Sequence, residues 1–272
     1  MIFDLIILFL PAVFWGLSPI LLKHASRKNE FFTYSFLNNL SGLIFLPFLT
    51  GLNINNLWMV FLLFIFYFIA SITYYLALKK IEGYIAASVS LLTVPVAVML
   101  SSIFLHEFLS IAKYVGGLLI LFGAVLVSLE KLSIKHIDSK SFFYLLISAV
   151  LWGVADFFLK FVSYAFSPFE IAFFVSLFFV IFTLPFAFKS IKGFDFKTSK
   201  FSILGGLLAN LGLIAFTLSI NLFGVSVSSI ISSFYVLVSA FIEWFFEKIA
   251  MPFHKLVGVG IAFLGMIIFS IY

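Results

Sequence analysis

Charged residues in this chain stand almost entirely in short breaks between long apolar runs, a spacing that leaves few folds open. Ten runs approach the ~20 residues a helix needs to cross a bilayer's hydrocarbon. They lie at roughly 5–25, 32–50, 57–78, 84–105, 113–129, 142–163, 168–188, 201–220, 225–246 and 253–271. Hydrophobic residues make up 64% of the chain and charged residues 10%, whereas a soluble domain carries about 25% charged. Lipid is therefore the solvent for most of the surface. Unbroken runs such as Leu57 to Phe68 exclude the period-two alternation of a membrane barrel. Gly and Pro inside some runs do not demote them, because neighbouring helices can satisfy the freed backbone groups. The expected fold class is all-α, an integral multi-pass protein of the cell membrane with ten transmembrane helices.

The chain also repeats itself. Residues 12–23 read AVFWGLSPILLK and residues 149–160 read AVLWGVADFFLK, matching at six of twelve positions and including two of only four tryptophans. The register persists. Lys79 to Tyr84 occupies the place of Ile220 to Val225, Lys113-Tyr-Val-Gly-Gly and Gly123 align with Lys255-Leu-Val-Gly-Val and Gly265, and Glu107 and Glu247 close equivalent runs. A separation of 137 residues is too long for a solenoid and indicates two halves. The first repeat is placed at 1–130 and the second at 142–272, with a connecting loop at 131–141. Five runs per half is an odd number, so the second half must enter the membrane from the opposite face. Inverted repeats of this kind are characteristic of transporters, with the binding site near midplane between the halves.

The basic residues test that inversion independently. If the amino terminus and the loops after even-numbered runs share one side, that side holds Lys113 and Lys160, and the other fourteen Lys and Arg residues lie opposite. The loop at 26–31 is basic while its counterpart at 164–168 is not, and the uncharged loop at 51–56 has a lysine-rich counterpart at 189–200. By the positive-inside rule the lysine-rich side is cytoplasmic and both termini are extracytoplasmic.

Trp15-Gly16 and Trp152-Gly153 open the halves, Pro95 follows in the fourth run, Glu107 and Glu247 close the fourth and ninth, and the fifth and tenth carry the glycine patterns above. With this ordered set the chain resembles the ten-helix EamA-type branch of the drug/metabolite transporter superfamily over essentially its full length. The resemblance implies alternating-access movement of small organic solutes or amino acids, often as export coupled to an ion gradient. One departure is visible: typical members have basic residues after the second helix and both termini in the cytoplasm, whereas here that loop reads Gly51-Leu-Asn-Ile-Asn-Asn56.

Ionisable groups deep in a membrane are costly and mark functional sites by default. Asp156 lies mid-run where the first half has Pro19, and Lys160 follows at i+4 on the same helix face. Asp156 is a candidate proton or cation coupling site, or a counter-charge for a cationic substrate; the competing reading is a neutralised Asp156–Lys160 pair. Asn210, Thr217 and Asn221 share one face of the eighth run, either for substrate or as interhelical hydrogen bonds. Ser228, Ser232 and Tyr235 form a stripe in the ninth, where small residues also permit close packing, and Tyr74, Tyr75, Ser88 and Thr93 fall in the corresponding first-half helices. Trp15 and Trp152 sit halfway along their helices, as a cavity wall or a contact between halves. Glu107 and Glu247 are gating or anchoring candidates, with solvated helix ends as the plain alternative.

His24, His106, His136 and His254 lie in or near loops, and their spacing fits no metal site. There is no cysteine, no His-Glu-x-x-His, no Gly-x-Ser-x-Gly and no glycine-rich phosphate loop, so a zincin, a serine hydrolase or an ATP-driven pump finds no support. A pI near 9.3 without a long basic run gives no case for nucleic acid. The sequence reading is a non-enzymatic secondary transporter needing no cofactor. Its partners are a small-molecule substrate and the bilayer, and no oligomer is required. A lipid-linked flippase of the same fold is the first rival.

Overall fold

A computed structural model describes residues 2–26, 31–49, 54–81, 83–129, 138–190, 196–246 and 252–271. Its twelve α-helices, in chain order, are α1 (Ile2–Ser26), α2 (Phe31–Leu40), α3 (Leu57–Leu78), α4 (Gly83–Ser90), α5 (Thr93–Phe104), α6 (Ile111–Ser128), α7 (Ser139–Val162), α8 (Pro168–Ser190), α9 (Phe196–Phe223), α10 (Val225–Ser232), α11 (Tyr235–Phe246) and α12 (Phe253–Ile271). No strand occurs among the described residues. Seven helical stretches are long and apolar enough to cross a membrane, with shorter apolar helices at Phe3–Ser18 and Phe253–Phe269.

Three of the expected continuous runs are broken, each for a local reason. The second run ends its α-helix at Leu40 and continues as a 3₁₀ segment, Ser41–Phe48. There Asn39 Nδ2 donates to the Ser35 carbonyl (2.8 Å) and Ser41 Oγ to the Asn38 carbonyl (2.6 Å), local bonds that compete with the α-helical ladder. Pro47, inside the segment, has no N–H to give. The fourth run turns at Leu91-Leu92 between α4 and α5, where Pro95 removes the amide that would bond back to Leu91. The ninth run turns at the equivalent Ser233-Phe234 with no proline. Instead Ser232 Oγ and Ser233 Oγ donate to the Ser229 and Ile230 carbonyls at 2.9 and 2.6 Å, back-bonding that bends helices.

The packing maps onto itself when the halves are exchanged. α1 lies on α9 as α3 lies on α7; α1 touches α11 as α7 touches α5; α2 pairs with α8 and α6 with α12. Gly16 faces Val238 and the Tyr235 carbonyl, and Gly153 faces Val96 and the Thr93 carbonyl in the same manner. The α6–α12 contact is antiparallel. A Cβ on Gly116 would lie 2.8 Å from the Gly265 carbonyl, and one on Gly123 2.5 Å from the Gly258 carbonyl. Phenylalanines fill much of the remaining interior: Phe64, almost fully buried, meets Phe68, Phe178, Phe179 and Phe182.

One cross-half clamp is electrostatic. Glu107 lies in the loop after α5, where Glu107 N donates to the Ser101 carbonyl and His106 takes a left-handed φ of 56°. Its carboxylate accepts from Val225 N at 3.1 Å and Ser226 N at 2.9 Å, the first amides of α10. Those donors have no partner within the helix and carry the positive end of its dipole. Gly224, with φ 84°, brings the chain close; a Cβ there would sit 2.8 Å from Glu107 Oε1. At the other end of the bundle Asp138 caps α7 through Ser141 N (3.0 Å) and Ser141 Oγ (2.6 Å), with Lys80 3.8 Å away. The Ser141 hydroxyl and amide, then the lysines, hold the Asp138 carboxyl below its ordinary range.

Glu107→Ala is expected to destabilise the fold by about 2 kcal/mol, the scale of charge-assisted bonds, with Glu107→Gln intermediate; thermal midpoints of purified protein check this. Gly123→Leu drives a side chain into the α12 backbone, at about 3 kcal/mol on the scale of overpacked cores. It should abolish the monodisperse peak in fluorescence-detected gel filtration.

Candidate functional site

Asp156 is held by the pairing of α7 with α3. Its Oδ1 accepts a long hydrogen bond from Tyr67 Oη at 3.4 Å. Lys160, one turn on, does not pair with it. The ammonium donates to the Ile220 carbonyl at 3.1 Å and sits 5.4 Å from the centre of the Tyr164 ring. Ile220 is in the last turn of α9, where the negative end of the helix dipole favours a cation; its carbonyl also accepts from Gly224 N at 3.0 Å. That local attraction outcompetes the i, i+4 pairing, so the neutralised Asp156–Lys160 pair does not form.

A run of aromatic groups leads away from the carboxylate. Trp152, one turn earlier on α7, packs against Tyr74 of α3 with ring centres 5.1 Å apart and planes at 52°. Tyr74 is within electrostatic reach of Tyr34 on α2 and of Tyr235 at the start of α11. Tyr235 Oη and Ser90 Oγ share a hydrogen bond of 3.1 Å across the two helix breaks. Asp156, Tyr34, Tyr67, Tyr74 and Tyr235 are each half-buried. They come from both halves. Nearby, Thr93 donates to the Ala149 carbonyl of α7 at 3.3 Å.

Tyr34, Tyr67 and Ser90 were not among the candidates read from sequence. A signal existed for Tyr67, which precedes Tyr74 by seven residues and so shares its helix face. Tyr34 and Ser90 had none, because only the fold brings α2 and α4 to this place.

The other candidates sit elsewhere. Trp15 donates from Nε1 to the Ala209 carbonyl at 3.2 Å and lies over Gly212 and against Phe216, at 5.1 Å and 51°. That ring pair repeats the Trp152–Tyr74 geometry, but here it closes the α1–α9 contact. Asn210, buried, bridges three segments: Nδ2 donates to the Gly206 carbonyl (2.9 Å) and Ser41 Oγ (3.4 Å), and Oδ1 accepts from Ser176 Oγ (2.9 Å). Thr217 donates to its own helix at Leu213 (2.8 Å), and Ser232 to Ser229. Ser228 pairs with Ser219 at 2.7 Å, and Ser88 pairs with Ser128. Asn221 accepts from Ser163 Oγ at 2.7 Å, beside the Lys160 contact at the end of the bundle. Tyr75 turns to Phe31 (5.1 Å) and under Lys79 (5.3 Å). Glu107 is the clamp on α10, and Glu247 lies outside the described residues. Among the described residues no cluster of His, Asp or Glu could hold a metal.

Two surface cavities lie apart from Asp156. One, of about 410 Å³, is formed by residues 163–168 with Glu170. The other, about 360 Å³, is an apolar crevice between α5 and α6 with Ser102 and Tyr114 among its lining.

No protein with curated function matches this sequence. One solved crystal structure of a protein superposes with a TM-score of 0.78 at 15% identity, over 98% of this chain and 96% of that one, a likeness of fold. The sequence profile of the EamA-like transporter family matches residues 2–129 and again 139–271. The two matches span both halves on either side of the connecting loop, and the chain belongs to the EamA-like transporter family of multi-pass membrane proteins.

Proposed function

We propose that this protein is a secondary transporter, an exporter of small organic metabolites or amino acids, working by alternating access through ten crossings arranged as two inverted five-helix repeats. The observation that carries the reading is the run of polar and aromatic side chains that starts at Asp156 and Tyr67, passes through Trp152 and Tyr74, and reaches Tyr34, Tyr235 and Ser90. These residues lie on α2, α3 and α4 of the first half and α7 and α11 of the second. A site built across two halves is opened and closed by their relative motion. The exchange symmetry of the helix contacts and the antiparallel α6–α12 pair support the inversion. Equivalent helices that meet head to tail cannot point the same way through a bilayer.

Asp156 is the coupling group in this reading. It has a single long hydrogen bond from a phenol, so its proton can be exchanged for a cation or a substrate group without dismantling an ion pair. The lysine-rich face is cytoplasmic and both termini are extracytoplasmic. The second reading, a flippase for lipid-linked substrates, draws on the α5–α6 crevice. It is apolar along most of its lining, with the Ser102 and Tyr114 hydroxyls 3.1 Å apart.

Purified protein in liposomes, screened over amino acids, sugars and organic amines with and without a proton gradient, is expected to carry a soluble solute. The gradient should accelerate the wild type and leave Asp156→Asn unaffected. Lipid scrambling without solute flux would instead select the flippase. The natural absence of cysteine allows topology to be read directly: Asn55→Cys should react with an impermeant maleimide on whole cells, and Ser199→Cys only after permeabilisation. The reverse pattern overturns the orientation.

A further inference from the structure

The chemistry of the groups at Asp156 narrows the solute they can take. A carboxylate in a water-poor interior is costly unless a cation or several donors answer it. Asp156 receives one phenolic donor at 3.4 Å. Among the described residues no Lys, Arg or His bonds to it, and the cation nearest in sequence, Lys160, is directed to the Ile220 carbonyl. Tyr67 touches it, Trp152 lies one turn earlier on α7 against Tyr74, and Tyr34, Tyr235 and the Ser90 hydroxyl continue the run beyond Tyr74. Aromatic faces attract cations through the ring quadrupole, and a phenol oxygen can accept from an ammonium. The carboxylate and the aromatic faces thus favour positive charge. The hydroxyls can donate as well as accept, but none of these groups is the basic side chain that a phosphate, sulfate or free carboxylate needs.

We propose that the Asp156 site takes an organic ammonium ion with an apolar or aromatic substituent, the nitrogen set between the Asp156 carboxylate and the rings of Tyr67, Tyr74 and Trp152, and that it refuses anionic metabolites. This rests on the reading of Asp156 and its neighbours as the transport site. It implies that Asp156 sets specificity as well as coupling, because the ammonium and the coupling proton answer the same charge. A zwitterionic amino acid binds less well than the amine that lacks its carboxylate, since that carboxylate meets no cation there.

Calorimetric titration of the full chain in detergent at neutral pH tests this with four probes of nearly one shape: phenethylamine, 2-phenylethanol, L-phenylalanine and 3-phenylpropionate. Phenethylamine is expected to bind at least about tenfold more tightly than the other three, the scale of a charge-assisted bond. Asp156→Asn should remove that preference while leaving the alcohol unchanged. Tyr74→Phe, which keeps the ring face, should retain the preference and Tyr74→Leu should reduce it, so the site stays testable if Asp156→Asn does not fold. Binding of phenylalanine or phenylpropionate as tight as that of the amine overturns the proposal. So does Asp156-independent binding, or no amine binding at millimolar concentration. Counterflow in liposomes separates this from the parent reading. Asp156-dependent amine binding without flux leaves the site and removes the transporter. Flux of another solute that Asp156→Asn does not alter leaves the transporter and removes the site.

Discussion

Helices in hydrocarbon gain little by hiding apolar surface from one another, because lipid tails are as apolar as leucine. Association has to come from close packing and a few polar bonds. The bundle depends on that constraint. One close joint, α6 against α12, is made where glycines let two backbones approach so nearly that a single Cβ would lie under 3 Å from a carbonyl. The α1–α9 joint uses the same device with a larger knob, the Trp15 indole seated over Gly212 with its N–H on a carbonyl. Polar bonds then fix register where small residues alone would slide. Asn210 ties α9 to α8 and to the 3₁₀ segment, and Glu107 ties the first half to the N-terminus of α10.

The halves share a plan and differ in how they execute it. Both interrupt the fourth helix of the repeat at the same place, one with Pro95 and the other with serine hydroxyls turned onto their own backbone. The interruptions present Ser90 and Tyr235 to each other across the interface. The two Trp-Gly motifs make matching ring contacts, yet Trp15 faces Phe216 while Trp152 faces Tyr74. The second contact therefore carries a hydroxyl. The repeated scaffold is shared, and substitution at a few of its positions sets the candidate site apart.

The helical class and the doubling were legible in the sequence because each rests on local composition or on comparison of the chain with itself. Where the second run leaves the α-helix was not legible. That break depends on Asn39 and Ser41 choosing backbone carbonyls over other partners. The fate of Lys160 was hidden for the same reason: spacing places it beside Asp156, but the carbonyl that wins it comes from a helix sixty residues away. Asn210, Thr217 and Asn221 share a helical face in the sequence and serve three different contacts in the fold. Periodicity reports which residues can look the same way; it does not report what they meet. Tyr34 comes from α2, a short helix whose Thr33, Ser35, Asn38 and Asn39 make it more polar than α1 and α3, so that one further hydroxyl there does not stand out.

Pro19 and Asp156 occupy equivalent places in the two halves. Were those halves chemically identical, any two conformations related by exchanging them would have the same free energy. A cycle of the proposed kind would then have no resting preference. A carboxylate present in one half and absent from the other is among the differences that lift that degeneracy. In the proposed cycle it would be hydrated differently in the two conformations and would favour one of them in the empty protein. The substitution that sets Asp156 apart would then also make such a carrier directional at rest.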